Sequence, residues 1–172
     1  MTNTIDTSSL HQIQYGIFII TSVTDTKING QIATVAFQVT SKPAQIATCL
    51  NKNTLTHQFV MESKVFGISI ITEEADLKFI GKFGFRSGRD IDKFIDTNYK
   101  KSITGSPLVL DHVSAIFDLK VNQIIDVGTH TLFIGEILAS EKISEKKPIT
   151  YDYYHKVVKG KTPQNAPTFQ TT

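Results

Sequence analysis

The sequence predicts a mainly β protein, an all-β barrel with short helical insertions. Runs of β-branched and aromatic residues recur along the chain, which is the composition of buried strands. Apolar residues at helical spacing occur only in short stretches, and the strands are not spaced as regular β-α-β units. Closing roughly six such strands into a barrel would also protect their apolar edges.

Size and charge narrow the classes of function. The chain has 172 residues, 40% of them hydrophobic, which suits one domain with a substantial core. A net charge of +2 argues against a dedicated nucleic-acid binder. No apolar run reaches the roughly 18–20 residues of a membrane span. The residues after Met1 do not resemble a signal peptide, so we expect a cytoplasmic protein.

The first part of the chain is expected to alternate strands with short helices. Ser8 or Ser9 is the candidate cap of the first helix. Asp25-Thr26-Lys27 is expected to form a turn, and Asn29-Gly30 is the strongest hairpin signal, because both of its residues tolerate positive φ. Lys42-Pro43 interrupts the pattern before the third strand. In chain order, the expected elements are a helix over 9–16, strands over 17–23, 31–36 and 45–50, and a helix over 54–61.

The second part carries the clearest strand signals. Asp126-Val127-Gly128 is expected to join the last two strands as a hairpin. From Lys159 the sequence is polar and rich in proline, so we divide the chain into a barrel domain over 1–158 and an extended C-terminal tail over 159–172. The elements expected here are a strand over 65–71, a helix over 73–83, a loop over 84–90, a helical turn over 91–95, and strands over 113–121 and 129–139.

Several common chemistries leave no trace in the sequence. Cys49 is the single cysteine, so an intrachain disulfide and a thiolate-bound metal are excluded. The five histidines are scattered, and we expect no metal site. The glycine-rich phosphate loops of dinucleotide and nucleotide binders are absent, as is the Gly-x-Ser-x-Gly motif of many hydrolases.

Two segments are candidates for anion binding. Arg86 and Arg89, the two arginines of the chain, lie in one glycine-flanked loop, and a guanidinium binds phosphate bidentately. A solvated turn is the alternative for that loop. The segment 51–57 places hydroxyl and amide side chains at a predicted helix start, where free N–H groups favour anions. Simple N-capping explains this segment equally well.

Two further features suit a flat ligand. The segment 29–36 contains small residues in a predicted strand, and these let a ligand approach the backbone. A tightly packed barrel wall would need the same residues. His130 follows a tight turn at a strand entrance, where an imidazole can donate or accept near a cofactor, although such a histidine is more often structural.

The order of several motifs resembles the flavin reductase-like family with the FMN-binding split barrel. The resemblance covers residues 8–169 and is greatest to the flavin reductase domain that some anaerobes fuse to rubredoxin. The motifs are Tyr15-Gly-Ile-Phe-Ile-Ile-Thr-Ser, Asn29-Gly-Gln-Ile-Ala-Thr, Gln38-Val-Thr-Ser-Lys-Pro43, Phe79-Ile-Gly-Lys-Phe-Gly-Phe-Arg-Ser-Gly-Arg-Asp, Gly105-Ser-Pro and Gly128-Thr-His-Thr-Leu-Phe-Ile-Gly-Glu136.

The resemblance implies a homodimer of split barrels, each holding FMN, or FAD in some relatives, near the subunit interface. NAD(P)H would be the substrate, and His130 would lie close to the flavin and the nicotinamide as the catalytic residue. The isoalloxazine would lie along 31–36, and the phosphate near 51–56 and the 87–89 loop. The implied cofactor-binding residues are Asn29, Gln31, Ile32, Ala33, Thr34, Val35, Ala36, Cys49, Leu50, Asn51, Thr54, Thr56, His57, Phe83, Ser87, Gly88 and Arg89.

The resemblance leaves the electron acceptor open. One cysteine cannot build a four-thiolate iron site, so a rubredoxin acceptor would be a separate protein. The leading hypothesis is an NAD(P)H-dependent flavin reductase that passes electrons to free flavin, rubredoxin or another acceptor. The alternative is a non-enzymatic FMN electron-transfer protein of the flavoredoxin kind. An oxidase acting on a pyridoxal-type substrate resembles this sequence less.

Overall fold

The computed structural model describes residues 5–169, and its main feature is a seven-stranded antiparallel sheet. The strand order is β2-β1-β5-β8-β9-β4-β3, and a separate pair is formed by β6 and β7. The strands in this part of the chain are β1 (Phe18–Val23), β2 (Ile28–Ala33), β3 (Ala36–Ser41), β4 (Ala44–Asn51), β5 (Val65–Ile71), β6 (Tyr99–Lys101), β7 (Pro107–Val109), β8 (Val113–Asp126) and β9 (His130–Lys142). The prediction of a mainly β protein is confirmed.

The core lies inside the curled sheet. Side chains from six strands of the sheet and from helix α1 (Leu55–Ser63) form one buried cluster, which includes Phe66, Leu119 and Phe133. A second cluster packs β1 against the helices α2 (Leu77–Gly84) and α3 (Tyr151–Lys156). Because α2 and α3 pack on the outside of the barrel, they can supply a wall to a cleft at its rim.

The first hairpin turns at the segment 25–27, where a turn was expected, and not at Asn29-Gly30. The Thr24 N–H donates to the Lys27 carbonyl at 2.8 Å, so the turn lies at 24–27, and Asn29-Gly30 lies inside β2. The expected hairpin at Asn29-Gly30 is therefore wrong. A Cβ on Gly30 would stand 3.0 Å from the Thr21 methyl group, so this glycine permits close packing and forms no turn.

The strand expected over 31–36 is divided in two. β2 ends at Ala33 and β3 begins at Ala36, so Thr34 and Val35 form a corner between them. The Thr48 hydroxyl of β4 donates to the Val35 carbonyl at 2.8 Å and satisfies this backbone group outside any strand pairing. A continuous apolar pattern carries no signal of such a corner, because the side-chain bond comes from a distant strand.

The other long strands follow the predictions closely. β4 and β5 lie where they were expected, and the hairpin before β4 turns at Lys42–Pro43, whose peptide bond is cis. The turn at 126–128 is confirmed, with Gly128 at φ +94°. β8 and β9 run past their predicted ends, because those segments are exposed on both faces and lose the apolar alternation.

The helices differ from the predictions mainly at their starts. The helix expected over 9–16 is a 3-10 helix over Thr7–Gln12, and its cap is Asp6 in place of Ser8 or Ser9, because the Asp6 carboxylate accepts the Ser8 N–H. The cap of α1 is Thr54, which lies in the segment 51–57 whose residues were considered for N-capping. α2 starts only after its cap Asp76, so the helix expected from residue 73 is too long. The helical turn expected over 91–95 is an irregular turn, and β6, β7 and α3 were not predicted.

The chain from Lys159 to Phe169 contains no helix or strand and packs against α3. Gly160 passes so close to Tyr154 that a Cβ would stand 1.9 Å from its ring. The Tyr154 hydroxyl donates to the Lys161 carbonyl at 3.2 Å. The last residues of the predicted tail, 170–172, lie outside the described part of the chain. The division of the chain at 158/159 stays a prediction. No helix within residues 5–169 is long and apolar enough to cross a membrane.

Candidate functional site

A cleft of about 440 Å³ opens at the barrel rim, where β2, β4 and the start of α1 meet. The loop that follows α2, helix α3 and residues 163–167 complete its walls. This volume falls within the range of small-molecule sites. Most of the predicted cofactor-binding residues line it, namely Asn29, Gln31, Ile32, Ala33, Thr34, Cys49, Asn51, Thr54, Thr56, Phe83, Ser87, Gly88 and Arg89. Folding thus gathers into one cleft predicted residues that lie between positions 29 and 89, together with lining residues as distant in the chain as Ile17 and Pro167.

Four predicted cofactor-binding residues do not line this cleft. Leu50 is fully buried in the core, because it alternates along β4 with Cys49 and Asn51, which face the cleft. His57 is buried behind the cleft, where its Nε2 lies 2.8 Å from the Thr131 hydroxyl. Val35 and Ala36 belong to the corner after β2 and to β3. Contact of these four residues with a ligand stays a prediction.

The cleft carries positive charge without any carboxylate in its walls. Arg86, Arg89 and Lys93 line it, and no Asp or Glu is among the described lining residues. We call the loop over 84–90, which contains Arg86 and Arg89, the arginine loop. The Arg89 guanidinium donates to the Asn53 carbonyl at 3.5 Å, which places this loop beside the start of α1. The first turn of a helix favours anions. The arrangement therefore suits a ligand with a negatively charged end.

The arginine loop is held against β2 by a close approach at Gly88. A Cβ at this position would stand 2.1 Å from the Asn29 Oδ1, so only glycine fits without a shift. The Asn29 amide in turn donates to the Thr56 hydroxyl at 2.9 Å, in a buried bond between β2 and α1. These contacts fix β2, α1 and the arginine loop relative to one another.

Lys93 is a buried cation that the sequence did not reveal as a site residue. Its side chain is 4% exposed, and its Nζ donates to the Gly30 carbonyl at 2.8 Å and the Phe83 carbonyl at 3.1 Å. Burial lowers the pKa of Lys93 to about 8. Only tertiary packing places this ammonium between two carbonyls, so no local motif could have indicated it.

Two polar atoms in the cleft walls have no partner within the described structure. The Gln31 Oε1 and the Thr34 Oγ1 are both buried, and both residues line the cleft. An unsatisfied buried polar atom costs roughly 1–3 kcal/mol. A ligand with matching hydrogen-bonding groups would remove that cost, so β2 and the corner after it suit the polar edge of a planar ligand.

The remaining walls are aromatic or weakly polar. Phe83 of α2 and Tyr151 and Tyr154 of α3 line one side. Cys49 lines the cleft from β4, and burial raises the pKa of its thiol, so it stays protonated at neutral pH. A protonated thiol is a poor nucleophile, and the cleft has no paired base to activate it.

His130 lies at the start of β9, beside the cleft and outside its lining. Its Nε2 lies 3.2 Å from the Asn165 carbonyl, and its Nδ1 lies 2.8 Å from the Thr129 hydroxyl. A carbonyl oxygen only accepts, so Nε2 carries a proton and donates, and Nδ1 accepts from the hydroxyl in a neutral ring. Since Asn165 itself lines the cleft, His130 is one residue removed from it, and its catalytic role stays a prediction.

Comparison with known proteins gives a consistent family. The profile described as "Flavin reductase like domain" matches residues 10–160. Over 164 residues, or 95% of this chain, the sequence is 45% identical to high molecular weight rubredoxin of Moorella thermoacetica, of which it covers 72%. It is also 45% identical over 164 residues to ferric-chelate reductase (NAD(P)H) of Archaeoglobus fulgidus, of which it covers 97%.

A solved structure supports the split-barrel prediction. The NADH:FAD oxidoreductase SgcE6 of Streptomyces globisporus superimposes with a TM-score of 0.74 and 18% identity. The match covers 87% of this chain and 91% of that one. At this level of identity the likeness establishes the fold, which is the FMN-binding split barrel expected from the sequence motifs.

Proposed function

The chain belongs to the flavin reductase-like family, and from that premise we propose that it is an NAD(P)H-dependent flavin reductase that holds FMN in the barrel-rim cleft. The observation that carries the proposal is the lining of the cleft, which combines three cations with unsatisfied buried polar atoms and contains no described carboxylate. A flavin nucleotide has both matching parts, an anionic phosphate and a planar ring with a polar edge.

The phosphate end of the flavin belongs at the arginine loop. Arg86 and Arg89 can form charge-assisted hydrogen bonds with it, and the first turn of α1 adds backbone N–H groups. Lys93, whose Nζ donates to the Gly30 carbonyl, supplies a third positive charge to the cleft. FMN ends in a single phosphate that can occupy this position, whereas FAD continues beyond its phosphates to an adenosine. We therefore prefer FMN to FAD as the cofactor.

The ring end belongs along β2. The Gln31 Oε1 can accept a hydrogen bond from the ring edge, and the Thr34 hydroxyl can donate or accept one. Phe83, Tyr151 and Tyr154 exclude water on one side. When bound, a flavin accepts a hydride from a nicotinamide, so the protein needs neither a nucleophile nor a strong base. A protonated Cys49 thiol agrees with this requirement.

Electrons leave the flavin for an acceptor that we place in three classes: free flavin, a separate rubredoxin, or a ferric chelate. Rubredoxin is suggested by the name of the Moorella relative and ferric chelate by that of the Archaeoglobus relative. The non-enzymatic carrier hypothesis has less support, because the relatives of similar length are named as reductases.

The flavin part of the proposal is tested by binding. The purified protein, freed of flavin, is titrated with FMN and with FAD, and the flavin that copurifies is identified by chromatography. We expect stoichiometric FMN binding that is tighter than FAD binding. Failure to bind either flavin at micromolar concentration would refute the proposed cofactor and the site together.

FMN affinity is expected to fall as the pH rises above about 8. An anion in the cleft favours charged Lys93 and raises its pKa, so at a pH above the free-protein value binding takes up a proton. Below pH 8 Lys93 is already charged in the free protein, so its contribution to FMN affinity does not change with pH. Above pH 8 the FMN Kd should rise by up to roughly tenfold per pH unit.

The Lys93→Met variant provides the control for this pH profile. It should bind FMN more weakly at pH 7 and lose most of the rise between pH 8 and 9.5. Burial shifts the pKa of the Cys49 thiol and of the Tyr154 hydroxyl to higher pH, and a guanidinium keeps its charge in proteins at any pH of this range. Parallel pH profiles for the two proteins would exclude Lys93 from the phosphate site.

We further propose that the protein is a homodimer. Apolar side chains of β3, β8 and the turn after β8 are exposed, among them Phe37, Ile125 and Val127. β3 is also an edge strand of the sheet, with one side unpaired in the described chain. A second copy placed on this surface would cover both features. Stable homodimer interfaces bury about 2,000 Å² or more.

Sedimentation at micromolar protein concentration is expected to give a dimer, and Phe37→Glu should shift it toward the monomer. Ile103→Glu is the matched control, because Ile103 is 79% exposed in the connection between β6 and β7, away from this surface. A clean 19.1 kDa species for the unmodified protein would contradict the proposal.

A further inference from the structure

Residues 162–168, which we call the strap, cross the open side of the cleft between α3 and His130. Five of them, over 163–167, line the cleft. Both ends of the strap bond to Tyr151 of α3, whose hydroxyl hydrogen-bonds with the Thr162 hydroxyl and accepts a bond from the Thr168 hydroxyl at 3.1 Å. In the middle, His130 donates to the Asn165 carbonyl at 3.2 Å. The strap thus touches the two residues that flank the cleft opening.

Side-chain hydrogen bonds, and no strand pairing, attach the described strap to the rest of the protein. Pro163 and Pro167 have no backbone N–H to offer to a sheet, and the strap contains only turns. Its described bonds to the rest of the protein run through hydroxyl and imidazole side chains. Segments held in this way open locally at a small cost in free energy.

The bond to Asn165 has a consequence for His130. A neutral imidazole has one N–H, and in this structure that N–H is donated to the strap. His130 cannot make the same donation to a nicotinamide until the strap leaves. The strap and a nicotinamide at this end of the cleft therefore compete for the same donor.

We propose that the strap closes the nicotinamide side of the cleft and must move aside for NAD(P)H to bind, with the Tyr151 hydroxyl as its latch. The inference rests on the proposed function, since it places the nicotinamide beside His130. Nicotinamide affinity is then reduced by the fraction of molecules in which the strap is closed. A variant that weakens the latch should bind the nucleotide more tightly.

Tyr151→Phe is the test variant, because it removes the hydroxyl and keeps the ring against Tyr15, Tyr154 and His155. In FMN-loaded protein we expect its KM for NAD(P)H to fall by roughly two- to tenfold, the worth of one or two hydrogen bonds. Structural damage to the cleft would raise the KM, so the sign of the change is informative.

Two more variants sharpen the test. Thr162→Val removes the partner hydroxyl and should lower the KM like Tyr151→Phe. Tyr153→Phe removes a hydroxyl from the same helix that does not line the cleft, and it should leave the KM unchanged.

A measurement without catalysis completes the test. Trypsin cleaves after Lys161, and release of the peptide that begins at Thr162 is followed by mass spectrometry in the FMN-loaded protein without nucleotide. Tyr151→Phe and Thr162→Val should release it roughly two- to tenfold faster than Tyr153→Phe.

An unchanged or raised KM in Tyr151→Phe, or equal release rates, would overturn the strap proposal while leaving the proposed function intact. If the unmodified, FMN-loaded protein does not oxidise NAD(P)H, the proposed function is refuted. The release experiment would still report whether the latch holds the strap.

Discussion

Replacing Arg89 by alanine is expected to weaken FMN binding by roughly ten- to a hundredfold. The guanidinium lines the cleft beside the start of α1, and a charge-assisted contact with phosphate contributes about 1.5–3 kcal/mol. The Kd for FMN is measured by the quenching of flavin fluorescence on titration with flavin-free protein. At high salt the FMN Kd of Arg89→Ala should come closer to that of the unmodified protein, because Arg89 is exposed in the flavin-free structure and its charge is screened.

The control for Arg89→Ala is Lys146→Ala. Lys146 pairs with Glu74 on the surface, and neither residue lines the cleft. This variant also loses one positive charge, so it reports the effect of net charge alone. Equal FMN dissociation constants for the two variants would remove the 87–89 loop from the site.

Replacing His130 by alanine is expected to slow flavin reduction by roughly ten- to a hundredfold while FMN stays bound. Loss of orientation in a reactive complex typically has an effect of this size. The imidazole is half-buried at the barrel rim, where its N–H is donated to the Asn165 carbonyl of the strap. The rate is measured per bound FMN at saturating NAD(P)H, so that a change in nucleotide affinity does not enter.

A purely structural role for His130 predicts a different result. Thermal stability and FMN occupancy would then fall together, while the protein that still holds FMN would be reduced at the normal rate. His11→Ala serves as the control, since His11 is exposed in the 3-10 helix at the other end of the domain sequence. A normal rate per flavin in His130→Ala would refute the catalytic role.

The strands were predictable where their pattern was local. β5 has its predicted bounds because a segment rich in apolar and β-branched residues ends at Lys64 on one side and Thr72 on the other. The turn at 25–27 was predicted correctly, but Asn29-Gly30 was wrongly taken as a hairpin turn, because Asn29 bonds to the distant Thr56 and Gly30 packs against Thr21 within the strand pair. Short β6 and β7 pair only with each other and carry no periodicity to detect.

The candidate site was predictable as a set of segments and less so as a set of residues. Motif order led to β2, the start of α1 and the arginine loop, and these meet in the cleft. Alternation along β4 turns Leu50 into the core, a distinction that needs the strand register. Lys93 and the strap were missed because their positions depend on packing between distant elements.

The most direct test of the account is anaerobic stopped-flow mixing of the FMN-loaded protein with NADPH and with NADH. A flavin reductase requires hydride transfer within the complex, without any partner protein. We expect rapid loss of the flavin absorbance at about 450 nm with at least one of the two nucleotides, at a rate that saturates with nucleotide concentration. Absence of bleaching with both nucleotides, in protein that demonstrably holds FMN, would contradict it and favour an electron carrier reduced by a partner protein.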